Sequence, residues 1–295
     1  MNVYLTLVIP VFFVVMVNSI SCRSGGKSLK TGNENYEIIT SGNHNKVLVL
    51  FPCFPCDAGH TKREAFFLKG LENEGVTIIL LDYNNKLFLQ ESEKEDLMEN
   101  IMHIFRTNNI PKNDVYFGGF SSGGNIALLM GDYIAGKKTG MIMKGVFLVD
   151  SPVDLEQLYH NAEIDVKQNV SEGVKNEASM IINLLKSSIG SPEKIRKMSV
   201  FSVSPSPEIN LKHYKKYKIR LYTEPAPEWH KNVRKRNYEN TNSRMFENFY
   251  NALSKDGNTS CDLIKTENKG VRADGNKHPH SWSIVEQESL LEWLK

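Results

Sequence analysis

The sequence predicts an α/β protein built on a doubly wound, mostly parallel sheet with helices on both faces. Two observations carry that expectation. Short continuous apolar runs, of the kind a parallel sheet buries on both sides, alternate with segments whose apolar residues recur at helical spacing. This alternation implies βαβ units, in which each strand is followed by a crossover helix. The second observation is a serine framed by glycines at the point where one apolar run gives way to a helical segment.

Residues 36–40 read as a weak strand and residues 47–51 (Val-Leu-Val-Leu-Phe) as a buried one. Residues 61–74 carry Ala65, Phe66, Leu68 and Leu71 at helical spacing, and residues 76–82 form the next strand. Residues 91–107 predict a helix with Leu97, Ile101, Ile104 and Phe105 on one face. A strand over 115–117 leads into the glycine-framed serine, a helix over 125–135 leads away from it, and residues 145–150 form another buried strand.

The rhythm then breaks. Residues 155–159, 174–185 and 192–198 look helical, a loop with Pro205 and Pro207 follows, and the next convincing strand is residues 218–222. An insertion this long in a sheet domain, about residues 151–215, reads as a lid or binding element. Beyond it come a helix near 244–253, a last strand at 262–266, a polar loop ending in Lys277-His278-Pro279-His280-Ser281-Trp282, and an amphipathic helix over 284–294.

Composition narrows the function classes. With 295 residues, 40% hydrophobic and 24% charged, the chain has ordinary globular chemistry. A net charge of +2 makes no electrostatic case for nucleic acid as a partner. Residues 3–17 are almost purely apolar, about the length of a signal-peptide core and short of the roughly 20 residues a spanning helix needs. Residues 1–21 are therefore expected to be a signal segment, residues 22–35 a polar tether, and residues 36–295 the folded domain. Ser21 directly before Cys22 resembles a bacterial lipoprotein signal, in which the cysteine becomes the lipidated N-terminus. Two features depart from that pattern: no Lys or Arg precedes the apolar run, and Ser19 stands where Leu is usual. Cleavage without lipid and an uncleaved anchor are the alternatives. Export is expected in each case, to the cell envelope as a membrane-tethered lipoprotein or otherwise as a secreted or periplasmic protein, with membrane contact only through the lipid or the signal. Nothing in the sequence fixes an oligomeric state.

Cys53-Phe54-Pro55-Cys56 is a C-x-x-C that invites a thiol-disulfide reading. Against it, Pro52, Pro55, Asp57 and Gly59 make a loop where a redox helix would start, so a loop cysteine pair, disulfide-bonded after export, is favoured. No second C-x-x-C or nearby histidine pair supports a zinc site. Neither a metal nor an organic cofactor is expected.

The stretch Gly119-Phe120-Ser121-Ser122-Gly123 fits the nucleophile-elbow pattern G-x-S-x-G. Lifting a serine hydroxyl off a sheet edge requires a sharp strand-to-helix turn, and small neighbours let the backbones pass closely. A serine nucleophile needs a base, and the base an orienting acid. Ligands of such sheets bind beyond the carboxyl ends of the strands, a rim reached by the loop after residue 51, by Ser121 and by Asp150. His280, just before the terminal helix, is the preferred base, with His278 its alternative. Glu224, after the strand at 218–222, is the preferred acid, followed by Asp150 and then Glu228. The oxyanion donors expected are the Ser122 amide and that of Cys53 or Phe54, since Pro52 and Pro55 lack N–H groups.

From residue 36 to residue 295 this pattern resembles the α/β-hydrolase fold. The resemblance rests on the strand order, the Gly-Phe-Ser-Ser-Gly elbow, the acid after the penultimate strand, the histidine before the last helix and the chain order serine, acid, histidine. It implies an esterase-like serine hydrolase acting through an acyl-enzyme, with Ser121 as nucleophile, His280 as base, Glu224 at the usual acid position and Asp150 at a less common one. It also implies that the insertion after Asp150 is a helical cap. The expected substrate is a small-molecule, glycan or peptide ester. At the oxyanion loop many esterases carry His-Gly, whereas this chain has Phe51-Pro52-Cys53-Phe54-Pro55-Cys56. Two rival readings are a binding protein that kept the fold without turnover, and a thiol-disulfide protein using Cys53 and Cys56.

Overall fold

The computed structural model describes residues 29–31, 34–83, 86–168 and 170–295. Its strands in chain order are β1 (Leu29–Thr31), β2 (Glu34–Ile39), β3 (Lys46–Phe51), β4 (Val76–Leu81), β5 (Val115–Phe120), β6 (Met143–Val149), β7 (Phe201–Ser202), β8 (Glu208–Ile209), β9 (Lys218–Thr223) and β10 (Cys261–Lys265). Eight of them form one sheet in the order β1-β2-β4-β3-β5-β6-β9-β10, and β7 and β8 pair separately. The β1–β2 and β2–β4 pairs are antiparallel and every later pair of the sheet is parallel. The doubly wound α/β expectation is therefore the observed architecture.

The side-chain period of two sorts each central strand between two cores. Val47, Val49 and Phe51 of β3 face one apolar cluster, while Leu48 and Leu50 face the other. In β6, Val146 and Leu148 face the first and Phe147 and Val149 the second. Helices α2 (Glu91–Thr107), α3 (Ser122–Ala135) and, later in the chain, Asn242–Lys255 cover the first face through residues such as Ile101, Ile126, Met130 and Phe249. The second face is closed by Ala58 of α1 (Ala58–Glu64), the turns holding Phe67 and Leu71, and the C-terminal helix carrying Leu290 and Trp293.

Three expected elements change on inspection. β1 lies inside residues 22–35, read as a tether, so the sheet begins before residue 36. The signal segment 1–21, Cys22 and the rest of the tether up to residue 28 lie outside the described residues. The single helix expected over 61–74 is instead α1 followed by 3₁₀ turns at Phe66–Leu68 and Leu71–Glu74. The helix stops at Ala65, whose ψ of 73° leaves the helical region, and Gly70 and Gly75, at positive φ of 90° and 76°, bound the second 3₁₀ turn. At the C-terminus, a 3₁₀ turn at Trp282–Ile284 precedes a shorter helix.

The insertion after β6 is helical, as expected, with α4 (Leu155–Gln168), α5 (Glu172–Ser188) and α6 (Pro192–Met198). These helices bury Leu155, Leu158, Leu185, Ile189 and Ile195 with Leu87 and Phe88 in a third apolar cluster, distinct from the two cores of the sheet. Beyond β9 come α7 (Pro227–Trp229), α8 (Asn242–Lys255) and α9 (Gln287–Trp293). No helix among the described residues is long and apolar enough to cross a membrane.

Candidate active site

Ser121 sits between the end of β5 and the first turn of α3 with φ 54° and ψ −127°. A non-glycine residue holds such dihedrals only where its surroundings impose them. Here the Ser121 N–H donates to the Val149 carbonyl (2.9 Å) and the Ser121 carbonyl accepts from the Gly124 N–H (3.1 Å). The flanking glycines are steric requirements. A Cβ on Gly119 would overlap the backbone of Gly123, and a Cβ on Gly123 would overlap the carbonyl oxygens of Phe51 and Pro52. The turn thus projects Ser121 into a pocket that Ser122, Phe54, Asp150, His278 and His280 also line.

Asp150 follows β6, one strand over from β5, and is 5% exposed. Its Oδ2 lies 2.6 Å from His280 Nδ1. Its Oδ1 accepts from Thr223 Oγ1 (2.8 Å), and Asn242 Nδ2 donates to its backbone carbonyl (2.8 Å). Burial alone would push this carboxyl up, but the hydrogen bonds from His280 and Thr223 prevail and hold it below its ordinary value. An acidic carboxylate on Nδ1 fixes the imidazole with Nδ1 protonated, leaving Nε2 as the basic nitrogen. The His280 ring also packs 4.5 Å from the ring of Phe120, the residue before Ser121.

The preference for Glu224 as the partner of His280 is corrected by this geometry. Glu224 is buried at the end of β9, but its Oε2 accepts from the N–H groups of Lys269 (2.8 Å) and Gly270 (3.0 Å) and from Thr266 Oγ1 (3.2 Å). Its charge closes the turn after β10 instead. Glu228 is exposed at the start of α7.

His278, the alternative base, shares the pocket without a carboxylate partner. Its Nδ1 is buried with no hydrogen-bond partner among the described residues, and its ring packs at a tilt against Trp229, with 4.7 Å between ring centres. Burial pushes its pKa down to about 3, with the charges of His280 and Arg272 acting in the same direction, so at neutral pH it is uncharged. His230, also in the pocket, is lowered by burial to about 4.

Ser122 opens α3, so its N–H has no acceptor within the helix and stands where developing negative charge is favoured. Phe54, in the loop after β3, lines the same pocket. That loop is closed by a Cys53–Cys56 disulfide and by a bond from the Cys56 N–H to the Cys53 carbonyl (2.7 Å). Helix α1 starts only at Ala58, behind an Asp57 cap, so neither cysteine heads a helix.

Sequence reasoning missed the rest of the pocket. Helices α4 and α5 contribute Leu158, Ala162, Asp165, Ala178 and Ile181, and the segment after β9 contributes Trp229, His230, Arg234 and Arg236. Asp165 is 1% exposed and accepts a bidentate arginine fork, with Arg236 Nε donating to its Oδ1 (2.9 Å) and Nη2 to its Oδ2. That pair ties the inserted helix α4 to the segment after β9. The supporting Thr223 had a readable signal only through register, because β6 and β9 pair Val149 with Tyr222.

No family model matches the chain, and no curated protein matches it in sequence. Solved structures do resemble it. A carboxyl esterase from the mycorrhizal fungus Tuber melanosporum is 15% identical with a TM-score of 0.55, covering 96% of this chain and 91% of its own. An esterase from Pyrococcus furiosus is 12% identical (TM-score 0.52), covering 92% and 91%. A fluorophosphonate-binding serine hydrolase of Staphylococcus aureus is 12% identical (TM-score 0.53), covering 89% and 92%. At such identities the likeness is one of architecture, and together with the sheet order and the elbow it identifies the chain's fold as the α/β-hydrolase fold.

Proposed function

We propose that the chain is a serine hydrolase that cleaves a carboxylic ester through an acyl-enzyme. The observation that carries the reading is the short His280–Asp150 pair sharing one pocket with a serine held at elbow dihedrals. Ser121 Oγ attacks the ester carbonyl while His280 Nε2 takes its proton. Asp150 holds the tautomer and stabilises the imidazolium that forms. The oxyanion is received by the Ser122 N–H and by an N–H of the loop after β3, for which Phe54 is better placed than the disulfide-bonded Cys53. The tetrahedral intermediate collapses, and His280 returns the proton to the leaving alcohol. Water then repeats the sequence on the acyl-serine, releasing the acid and restoring Ser121.

The same reading includes export, with residues 1–21 as the signal and Cys22 as the lipidation site. The disulfide between Cys53 and Cys56 supports it, because such bonds persist in oxidising compartments.

The test is fluorophosphonate labelling of the folded protein beside Ser121→Ala, with the adduct mapped by mass. The expected result is one adduct on Ser121, absent from the alanine variant, together with hydrolysis of p-nitrophenyl esters. Folded protein that neither labels nor turns over an ester would sink the hydrolase reading and favour a binding protein on the same fold.

A further inference from the structure

Three guanidinium groups line the pocket, and they are not equivalent. Arg236 is engaged by Asp165 through both arms of its fork. Arg234 shares the same carboxylate at 3.6 Å and reaches Glu177 at 3.9 Å. Arg272 forms no side-chain hydrogen bond and no ion pair among the described residues. Its contact is with the face of Phe120, whose ring centre lies 5.5 Å from the guanidinium carbon. The same ring packs against His280, so the unpaired cation and the imidazole share one aromatic neighbour, the residue before Ser121, and line one pocket with that serine.

The surrounding carboxylates act on Arg272 only from a distance, and the nearest are committed. Glu64 accepts the Ala273 N–H (3.0 Å), Asp274 is exposed and bonded to Asn276, Glu177 faces Arg234, and Asp150 holds His280. Burial lowers the pKa of Arg272, as expected for a cation taken out of water without a contact ion pair. Its backbone is held firmly. The Arg272 N–H donates to the Asn276 carbonyl (2.9 Å) and the Arg272 carbonyl accepts from Gly275 (2.9 Å), while the next residue is anchored to α1 through Glu64. A guanidinium on a fixed hairpin, half-buried and without a partner, is a preorganised fork for an incoming anion.

We propose that Arg272 receives a carboxylate of the substrate, so that the preferred esters carry a single negative charge on the acyl chain in addition to the scissile ester. This rests on Ser121 being the nucleophile of that pocket. A planar carboxylate matches one guanidinium fork. A dianion would bring a second charge into a pocket that Glu177 and Asp165 also line, which disfavours a phosphate ester. His278 and His230, neutral and each with a buried Nδ1 that has no partner among the described residues, add polar groups to the pocket without adding charge.

The experiment compares mono-p-nitrophenyl adipate with p-nitrophenyl hexanoate, on the wild type, Arg272→Met and Arg272→Lys. The wild type should prefer the adipate in kcat/KM. The preference should fall about tenfold or more in Arg272→Met, chiefly through KM, and be partly kept in Arg272→Lys. A wild type that favours the hexanoate, or a ratio unmoved by Arg272→Met, overturns the proposal. A second arm titrates Ser121→Ala with monomethyl adipate and methyl hexanoate, followed by tryptophan fluorescence, since Trp229 lines the pocket. Tighter binding of the adipate by about tenfold supports the anion site even if no ester is hydrolysed, in which case only the hydrolase reading fails. Equal binding overturns the anion site even if hydrolysis is found.

Discussion

Exchanging carboxylate for amide at Asp150 and at Glu224, one at a time, separates the two roles that the rim of the sheet assigns them. Asp150→Asn keeps the shape of the side chain but can turn an amide N–H toward His280 Nδ1, which would then have to serve as acceptor. The basic nitrogen facing Ser121 is lost with the tautomer. The expected fall in kcat/KM is about 10⁴-fold, about 5.4 kcal/mol at 1.36 kcal/mol per tenfold. Glu224→Gln keeps an oxygen for the Lys269 and Gly270 amides and loses only the charge behind those bonds. That is worth about 1–2 kcal/mol of stability, a drop in Tm of about 2–6 °C for a chain of this size, with kcat/KM within about tenfold of the wild type. Ester hydrolysis and thermal unfolding, followed on both variants, read the two quantities independently. Should Glu224→Gln lose a thousandfold in rate at unchanged Tm while Asp150→Asn stays within tenfold, the assignment of roles is refuted.

Other consequences are equally direct. Gly123→Ala places a methyl group against the carbonyls of Phe51 and Pro52, and should cost at least about 3 kcal/mol or prevent folding. A denaturation midpoint equal to that of the wild type would contradict the close approach of the elbow to the loop after β3. Acid stability should follow the pocket histidines. His230 and His278 are lowered to about 4 and about 3 from 6.5, so between those values the unfolded chain binds more protons than the folded one. Their contribution is complete above about pH 6.5 and erodes as the pH falls toward 4. Asp150, held below its ordinary value of 3.8, acts only in more acidic solution. In the double variant His230→Gln/His278→Gln, the slope of Tm against pH between 6.5 and 4.5 should flatten, and an unchanged slope would show that these groups are not buried neutral.

The parts of the fold and site that were legible in the sequence are those fixed by local chemistry. The apolar runs of β3, β4, β5 and β6 are short and doubly buried, and no helix could use them. The elbow was legible because the G-x-S-x-G spacing is local, although only Gly119 is demanded by a near neighbour, Gly123, whereas Gly123 itself is demanded by the distant carbonyls of Phe51 and Pro52. His280 followed from its place between the last strand and the last helix. The acid was not legible, because both Asp150 and Glu224 end strands on the same rim and only long-range contacts distinguish them. Helix α4 was read too short, as residues 155–159, because Asn161 and Asp165 interrupt its apolar pattern. Both are nonetheless buried, Asp165 against Arg236 and Asn161 with its amide on the Asn240 carbonyl (3.0 Å). A polar residue whose partner lies seventy or more positions away carries no periodic signal. Arg272 escaped notice for a related reason: it lies in a polar loop, and what marks it is the lack of a partner.

The two carboxylates on the rim act on one loop. Asp150 holds the imidazole of His280, and Glu224 holds the Gly270 N–H, whose own carbonyl receives the His278 N–H (2.9 Å). Gly270 must be glycine, since a Cβ there would press on the backbone of His278 and Pro279. The histidine loop is therefore pinned at two points, one on its backbone and one on its side chain, by acids at the ends of neighbouring strands β6 and β9. A sheet that supplies two acids to one loop can dedicate the first to the charge of the imidazolium and the second to its placement. Arg272 lies between these two anchors in the chain, so the same double fixing that positions the His280 imidazole also holds the backbone that carries the guanidinium into the pocket of Ser121. In the proposed function, recognition of the substrate's charge and proton transfer at His280 would then fall to one doubly anchored loop.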